Sequence, residues 1–209
     1  MRLDPAPLVI KRLGPVEYLP TLDAMRAWTA TRGADTADEL WVLEHPPVYT
    51  LGVRSDPRHL PKSGNAIAVV RCDRGGEITY HGPGQAIVYT LVDLARRALK
   101  VREFVRMLEQ SCIDLLAQSG VSATRKPGAP GVYAADAKIA SLGLRVSRGR
   151  AYHGIALNVD MDLSPFALID PCGCPGLAVT QARSLGIAGS ALELGERLAG
   201  ILARKLGHA

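Results

Sequence analysis

This 209-residue chain has no charge-free stretch that approaches the about 20 mostly apolar positions of a membrane helix, so no membrane span is expected. Its opening residues, Met1-Arg2-Leu3-Asp4-Pro5, carry an acid and a proline. Their longest apolar run is Leu8-Val9-Ile10, against a signal-peptide core of about 7–15 residues, and no export signal is expected. Cysteine is scarce: Cys72, Cys112, Cys172 and Cys174 are too few to staple a chain of this size. Free thiols in a reducing, cytoplasmic compartment are the working expectation. Aromatic residues make up 5% of the chain. With arginines scattered along the whole length, that is poor material for base-stacking platforms and argues against a nucleic-acid module.

What the chain does have is apolar content, 47% of residues, enough for one full core. The formal net charge of +5 favours acidic partners. No repeat, linker or charge run marks a boundary, so a single domain over residues 1–209 is expected. Leu8–Leu13, Glu39–Glu44, Val48–Gly52, Ala66–Arg71, Gln85–Asp93, Val132–Tyr133, Lys138–Val146 and Tyr152–Val159 read as strands from their β-branched content. The basic turn Ser147-Arg148-Gly149-Arg150 links the last two as a hairpin. Tyr18–Thr31, Val101–Gln118 and Ser190–Leu206 read as helices with one apolar face each. Cys112 falls in the stripe Phe104, Leu108, Cys112, Leu115 and is assigned to the core.

Three features point to chemistry. Residues Arg74 to Gln85 hold four glycines in twelve residues, which brings bare backbone amides close to a ligand. A pair of tight turns around a hairpin is the alternative. The segment matches neither the phosphate-loop nor the dinucleotide pattern, having no lysine and leading into a strand. Cys172, in Asp170-Pro171-Cys172-Gly173, lies outside any helical stripe or strand alternation, as suits a nucleophile that a nearby base or cation activates. Lys138, His81 and His153 are the candidate partners. Cys174 completes only Cys-x-Cys, not the spacing of a zinc knuckle, and no metal site is expected. Lys138 interrupts the apolar run Ala137-Lys138-Ile139-Ala140. An ammonium is costly to bury unless it is paired or deprotonated, so this lysine is either functional or at the sheet rim.

Taken in order, Glu44-His45-Pro46-Pro47-Val48-Tyr49-Thr50-Leu51-Gly52, the glycine-rich Arg74–Gln85, Lys138-Ile139-Ala140-Ser141-Leu142-Gly143, His153-Gly154-Ile155-Ala156-Leu157-Asn158-Val159 and Pro171-Cys172-Gly173 resemble the octanoyltransferases of lipoate biosynthesis. The similarity runs from about His45 to Thr180. The resemblance implies an α/β fold shared with lipoate and biotin protein ligases: a mixed, largely antiparallel sheet packed by helices, with a smaller accessory sheet. It implies transfer of octanoyl from acyl carrier protein, through a Cys172 thioester, to a lysine of lipoyl domains. Those domains belong to the E2 subunits of 2-oxoacid dehydrogenases and to the glycine cleavage H protein. Lys138 would be the base for both half-reactions, since apolar surroundings disfavour the ammonium form of a lysine. Neither ATP, metal nor other cofactor is implied, and a cytoplasmic monomer is expected. Arg74, Gly75, Gly76, Thr79, His81, Gly82, Ser141, Leu142, Gly143, His153, Gly154, Ile155 and Ala156, with His45 and Tyr18, would form the substrate site. Amides at Gly143, Gly154 or Gly173 would hold the oxyanion. The rival within the fold is an ATP-dependent lipoate or biotin ligase, which needs no cysteine nucleophile. Cys174 has no implied role.

Overall fold

The computed structural model describes residues 7–61, 66–169 and 176–207. In chain order these form β1 (Leu8–Pro15), α1 (Tyr18–Thr31), β2 (Asp38–Glu44), β3 (Val48–Leu51), β4 (Ala68–Arg71), β5 (Ile78–His81), β6 (Gln85–Asp93) and α2 (Val101–Ala117). Then follow β7 (Thr124–Lys126), β8 (Ala129–Ala134), β9 (Ala137–Ser147), β10 (Arg150–Asn158) and α3 (Ala191–Gly207). Seven strands join in the order β1-β2-β6-β10-β9-β8-β7, and three more form a small sheet, β4-β3-β5. Only the β1–β2 and β3–β4 pairs are parallel. This is the mixed, largely antiparallel sheet with a smaller accessory sheet that the sequence led us to expect.

The large sheet is a middle layer. Strand β6 is buried along almost its whole length, as a central strand of β-branched and aromatic residues should be. One face, through Val88, Ile155 and Leu157, packs on Phe104, Leu108 and Cys112 of α2 and on Leu194, Leu198 and Leu202 of α3. Complete burial pushes the Cys112 thiol up to about 12, in keeping with a core role. The other face, through Leu43, Ile87, Tyr89, Tyr152 and Ala156, packs on Tyr18, Leu22 and Met25 of α1. Local chemistry sets the helix ends. At α3 the Ser190 and Glu193 side chains cap each other's backbone N–H groups, at 2.7 and 3.2 Å. The β9–β10 hairpin turns on Arg148 and Gly149, both at positive φ. Among the described residues no helix is long and apolar enough to cross a membrane.

The glycine-rich stretch departs from the hairpin alternative. Its middle forms β5, which pairs with β3 in the small sheet, while β6 immediately after it pairs with β2 and β10 in the large one. Gly82-Pro83-Gly84 is therefore a crossover between sheets. Gly84, at φ +83, accepts hydrogen bonds on its carbonyl from the N–H groups of Val159 and Asp160. The small sheet rests on the short 3₁₀ segment Ser164–Leu168 through Tyr49, Tyr80 and Phe166. Together they overhang the α1 face of the large sheet.

One buried carboxylate ties the ends of several elements together. Asp38, at the start of β2, is fully buried and accepts from Arg32 at 2.5 Å, Arg96 at 2.9 Å and Arg97 at 2.6 Å. Arg32 follows α1 and also donates to Leu91 O of β6, and Arg97 reaches Leu206 O at the end of α3. Removing the shared anion takes the counter-charge from the buried Arg32 guanidinium, and breaking a buried pair in this way typically costs about 3–5 kcal/mol. Asp38→Ala is expected to lower the unfolding free energy by that amount, read as a fall in urea midpoint at an unchanged slope.

Candidate functional site

Between the overhanging small sheet and the large sheet lies a pocket of ≈ 550 Å³. Its floor is the face of the large sheet: Ser141, Leu142 and Gly143 of β9, Gly154, Ile155 and Ala156 of β10, and Ile87 and Tyr89 of β6. Its roof is β5, with Ile78, Thr79 and His81, continued by Arg74, Gly76 and Glu77, and Tyr18 of α1 and His153 close it. Most residues assigned to a substrate site from sequence thus meet around one cavity. Gly75, Gly82 and His45 do not line it but lie directly behind residues that do. Lys138 is buried nearby without lining it. Cys172, Gly173 and Cys174 lie outside the described residues.

The pocket depends on backbone lying directly against backbone. A Cβ on Gly143 would stand 2.9 Å from the Gly75 carbonyl oxygen, and one on Gly154 would stand 2.0 Å from the carbonyl oxygen of Val88. These two glycines face each other across β9 and β10. Gly143 leaves the sheet bare enough for the Arg74–Glu77 loop to settle on it, where Gly75 N–H donates to Leu144 O, whereas Gly154 lets β10 close on the backbone of β6. Arg74 staples that loop to β3. Its guanidinium donates to Thr50 O at 2.6 Å and to the carbonyl oxygens of Gly75 and Glu77, so it is a structural brace of the roof.

Hydrogen-bond polarity fixes the state of the histidines. The Thr180 carbonyl can only accept, so the Asn158 amide donates to it and presents its oxygen to Gln85 Nε2, at 2.9 Å. Gln85 Nε2 also donates to Tyr80 O, which leaves Gln85 Oε1 to accept from His81 Nδ1 at 2.7 Å. His81 therefore carries a proton on Nδ1. Burial pushes its pKa down to about 3, which keeps the ring neutral. His45 donates from Nδ1 to Val16 O and accepts the Tyr89 hydroxyl on Nε2, at 2.8 Å, and burial pushes its pKa down to about 4. Tyr18 stacks on His81 and meets His45 edge-on.

Several residues that sequence reasoning passed over support these groups. Asp73, just before the glycine cluster, accepts from His153 Nε2 at 3.0 Å, from the Tyr152 hydroxyl at 2.5 Å and from Arg26 at 3.2 Å. Burial opposes its ionisation, yet the hydrogen bonds from His153 and Tyr152 hold its carboxyl well below the usual range. Gly131, at φ +144, makes room for Lys138: a Cβ there would stand 2.4 Å from Lys138 Cε and 3.2 Å from Nζ. Gly131 N–H is held by Glu109 of α2, which Arg125 braces at 2.9 Å. The backbone of Lys138 bridges to the segment at Val179, with Lys138 N–H donating to Ala178 O at 2.8 Å and Thr180 N–H to Lys138 O at 3.0 Å. A carboxylate with no partner at helical or strand spacing, such as Asp73, gives no signal in one sequence.

Known proteins resemble this chain closely. The family model described as the lipoyl protein ligase A/B catalytic domain matches residues 17–185. An octanoyltransferase of Thiobacillus denitrificans is 61% identical over 188 residues, 90% of this chain and 86% of the relative. One of Azoarcus sp. (strain BH72) is 56% identical over 200 residues, 96% of this chain and 88% of the relative. Among solved structures, lipoate-protein ligase A bound with ATP superposes with a TM-score of 0.70 at 14% identity, covering 97% of this chain and 84% of that one. The biotin protein ligase of Aquifex aeolicus superposes with a TM-score of 0.57 at 12% identity, covering 96% and 68%. The structural likenesses establish the shared fold.

The neutral histidines make stability depend on pH with a definite sign. Both folded-state values lie below the ordinary 6.5, so the unfolded chain binds more protons in acid. Their contribution is complete above about pH 6.5 and is lost as pH falls toward about 4. Urea midpoints are expected to drop between pH 7.5 and pH 4.5, by on the order of 2 kcal/mol per histidine. His81→Gln should flatten that slope by its share, and an unchanged slope would contradict the neutral assignment.

Proposed function

The chain belongs to the lipoyl protein ligase A/B catalytic family, and from that membership we propose that Cys172 and Lys138 carry its reaction as a nucleophile and a base. It is an octanoyltransferase of lipoate biosynthesis. The whole chain acts as one catalytic domain. The donor is octanoyl-acyl carrier protein, and the acceptors are lipoyl domains of 2-oxoacid dehydrogenases and of the glycine cleavage system. The +5 charge supports encounter with acidic partners. We place the activity in the cytoplasm, in a monomer.

In the first half-reaction Lys138 takes the Cys172 thiol proton, and the sulfur attacks the donor thioester carbonyl. The donor carbon–sulfur bond breaks and Lys138 returns the proton to the departing thiol. In the second, the ε-amine of the acceptor lysine attacks the Cys172 thioester. Lys138 accepts the amine proton, and the proton goes to Cys172 as its carbon–sulfur bond breaks. Thioester exchange is nearly level and amide formation is downhill, so the reaction proceeds without activation of the acid. Burying the six methylenes of the acyl chain in the pocket contributes about 5 kcal/mol of binding.

The observation that carries the dyad is the bridge between Lys138 and Val179. It holds the chain that follows residue 172 alongside the buried lysine, with five residues between Cys172 and Ala178. On the other side, Ile169 is anchored beside Tyr49, Tyr80 and Phe166, under the pocket roof.

Three experiments test the reading. Incubation with octanoyl-carrier protein and a lipoyl domain should give octanoylated product equally with and without ATP; strict ATP dependence would favour the ligase reaction of the shared fold. Cys172→Ser should gain no acyl mass from the carrier protein, and Cys174→Ala should behave as the parent. Lys138→Ala should slow both half-reactions by about 10²–10⁴, the usual contribution of a positioned base. Normal acylation of Cys172 in that variant would remove Lys138 from the role.

A further inference from the structure

We propose that His153, held by Asp73, is the end wall of the acyl pocket and sets the length of the chain it accepts; this rests on the reading of the pocket as the octanoyl site. Along β10, Ala151, Ile155 and Leu157 face the α2 and α3 side, whereas Tyr152 and Ala156 face α1. Strict alternation would send His153 to the helix side with Ala151 and Ile155. Its backbone instead adopts φ +62, an uncommon conformation for a residue with a side chain, and the imidazole joins the pocket lining. Three contacts hold it there, and a fourth holds its carboxylate partner. Nε2–H donates to Asp73 Oδ1, the ring stacks on Tyr152 at 5.1 Å and meets Tyr89 edge-on at 6.0 Å, and Arg26 fixes Asp73 from outside. Buried among apolar rings, the imidazole is favoured in its uncharged form, which suits contact with a methyl terminus.

The distances bound the chain at about six to eight carbons. A Cβ on Gly131 would lie 3.2 Å from Lys138 Nζ and 2.9 Å from Ala140 O, so the amine stands beside Ala140 of β9. His153 pairs with Leu144 of the same strand. Four residues of strand separate those points by about 13 Å. Extended covalent chain advances about 1.2 Å per bond, so the seven carbon–carbon bonds of octanoyl span about 8 Å. A contact of about 3.5 Å at each end brings the total to about 15 Å, within one carbon–carbon step or two of the strand distance. Decanoyl would overrun it further.

The test offers equal amounts of hexanoyl-, octanoyl-, decanoyl- and dodecanoyl-carrier protein and reads the mass of the acylated lipoyl domain. The product carries the readout, so a wrong assignment of Cys172 or Lys138 leaves the length profile measurable. His153→Gly removes the ring and accepts the left-handed backbone without strain. It is expected to raise the decanoyl-to-octanoyl ratio about 15-fold, the worth of two further buried methylenes. Asp73→Asn acts only by loosening the ring, as a positioning residue, and should raise the ratio several-fold. A ratio within twofold of the parent in both variants overturns the proposal, as does a loss of activity that is uniform across all four lengths. Where circular dichroism shows that His153→Gly has not folded, the ratio in Asp73→Asn decides.

Discussion

The site exists because the large sheet is bare of side chains at one spot. Gly143 and Gly154 sit side by side on neighbouring strands, and the carbonyl oxygens of Gly75 and Val88 occupy the space their side chains would take. A methyl group at either position meets backbone, which cannot swing aside as a side chain can. At Gly143 the Arg74–Glu77 loop would lift from the sheet, and with it the roof that β5 forms; at Gly154 β10 would be forced away from β6. The pocket is therefore a consequence of main-chain packing. Side chains such as Thr79, Ile87 and Ala156 only finish its surface. The same logic places Gly52, whose Cβ would stand 2.2 Å from Gly76 O, under the other side of that loop.

Much of this arrangement was legible in the sequence, and the limits have physical causes. Strand content and helical periodicity located the three helices and every strand of the large sheet but β7, because each buries a regular face, whereas β7 is a three-residue, mostly exposed edge. The glycine-rich segment announced close approach of backbone, but could not say to what. Its pairing with β3 is a contact between residues about thirty apart, and alternation over a four-residue strand is too short a signal. Gly143 and Gly154 were read as donors of free amides, whereas their steric role appears only once the loop lies on them. Asp73 and Asp38 were silent for a different reason. A buried carboxylate is identified by its partners, and those come from distant parts of the chain. Gly131 is likewise unremarkable until the Lys138 side chain is seen to run over it. The Cys172 loop lies outside the described residues, so its part in the reading still rests on the resemblance and on the chemistry of an activated thiol.

The two ends of the pocket are held by different kinds of polar support. At the end nearer Lys138, His81 is fixed through Gln85 and Asn158 to the Thr180 carbonyl. Every link in that chain is neutral. At the other end, His153 is fixed by the Asp73 carboxylate, which Arg26 reaches from the surface. A carboxylate partner raises the affinity of an imidazole for a proton, whereas an amide partner does little against burial. His81 is thus kept uncharged over the whole physiological range, and the charge at the far end stays behind the ring, outside the apolar cavity.

The neutral chain also couples the pocket to the lysine mechanically. Thr180 is bonded both to Asn158, through its carbonyl, and to Lys138 O, through its N–H. Any shift of the 178–180 segment, which leads back to the cysteine loop, must lengthen one of these bonds or carry Asn158, Gln85 and His81 along with it. Buried amides that lose a partner incur about 1–3 kcal/mol each, so the concerted movement is the cheaper one. The roof of the pocket and the segment that bridges to Lys138 are in this sense one body. Filling of the pocket beside His81 and placement of the 178–180 segment beside Lys138 are two views of a single packing event.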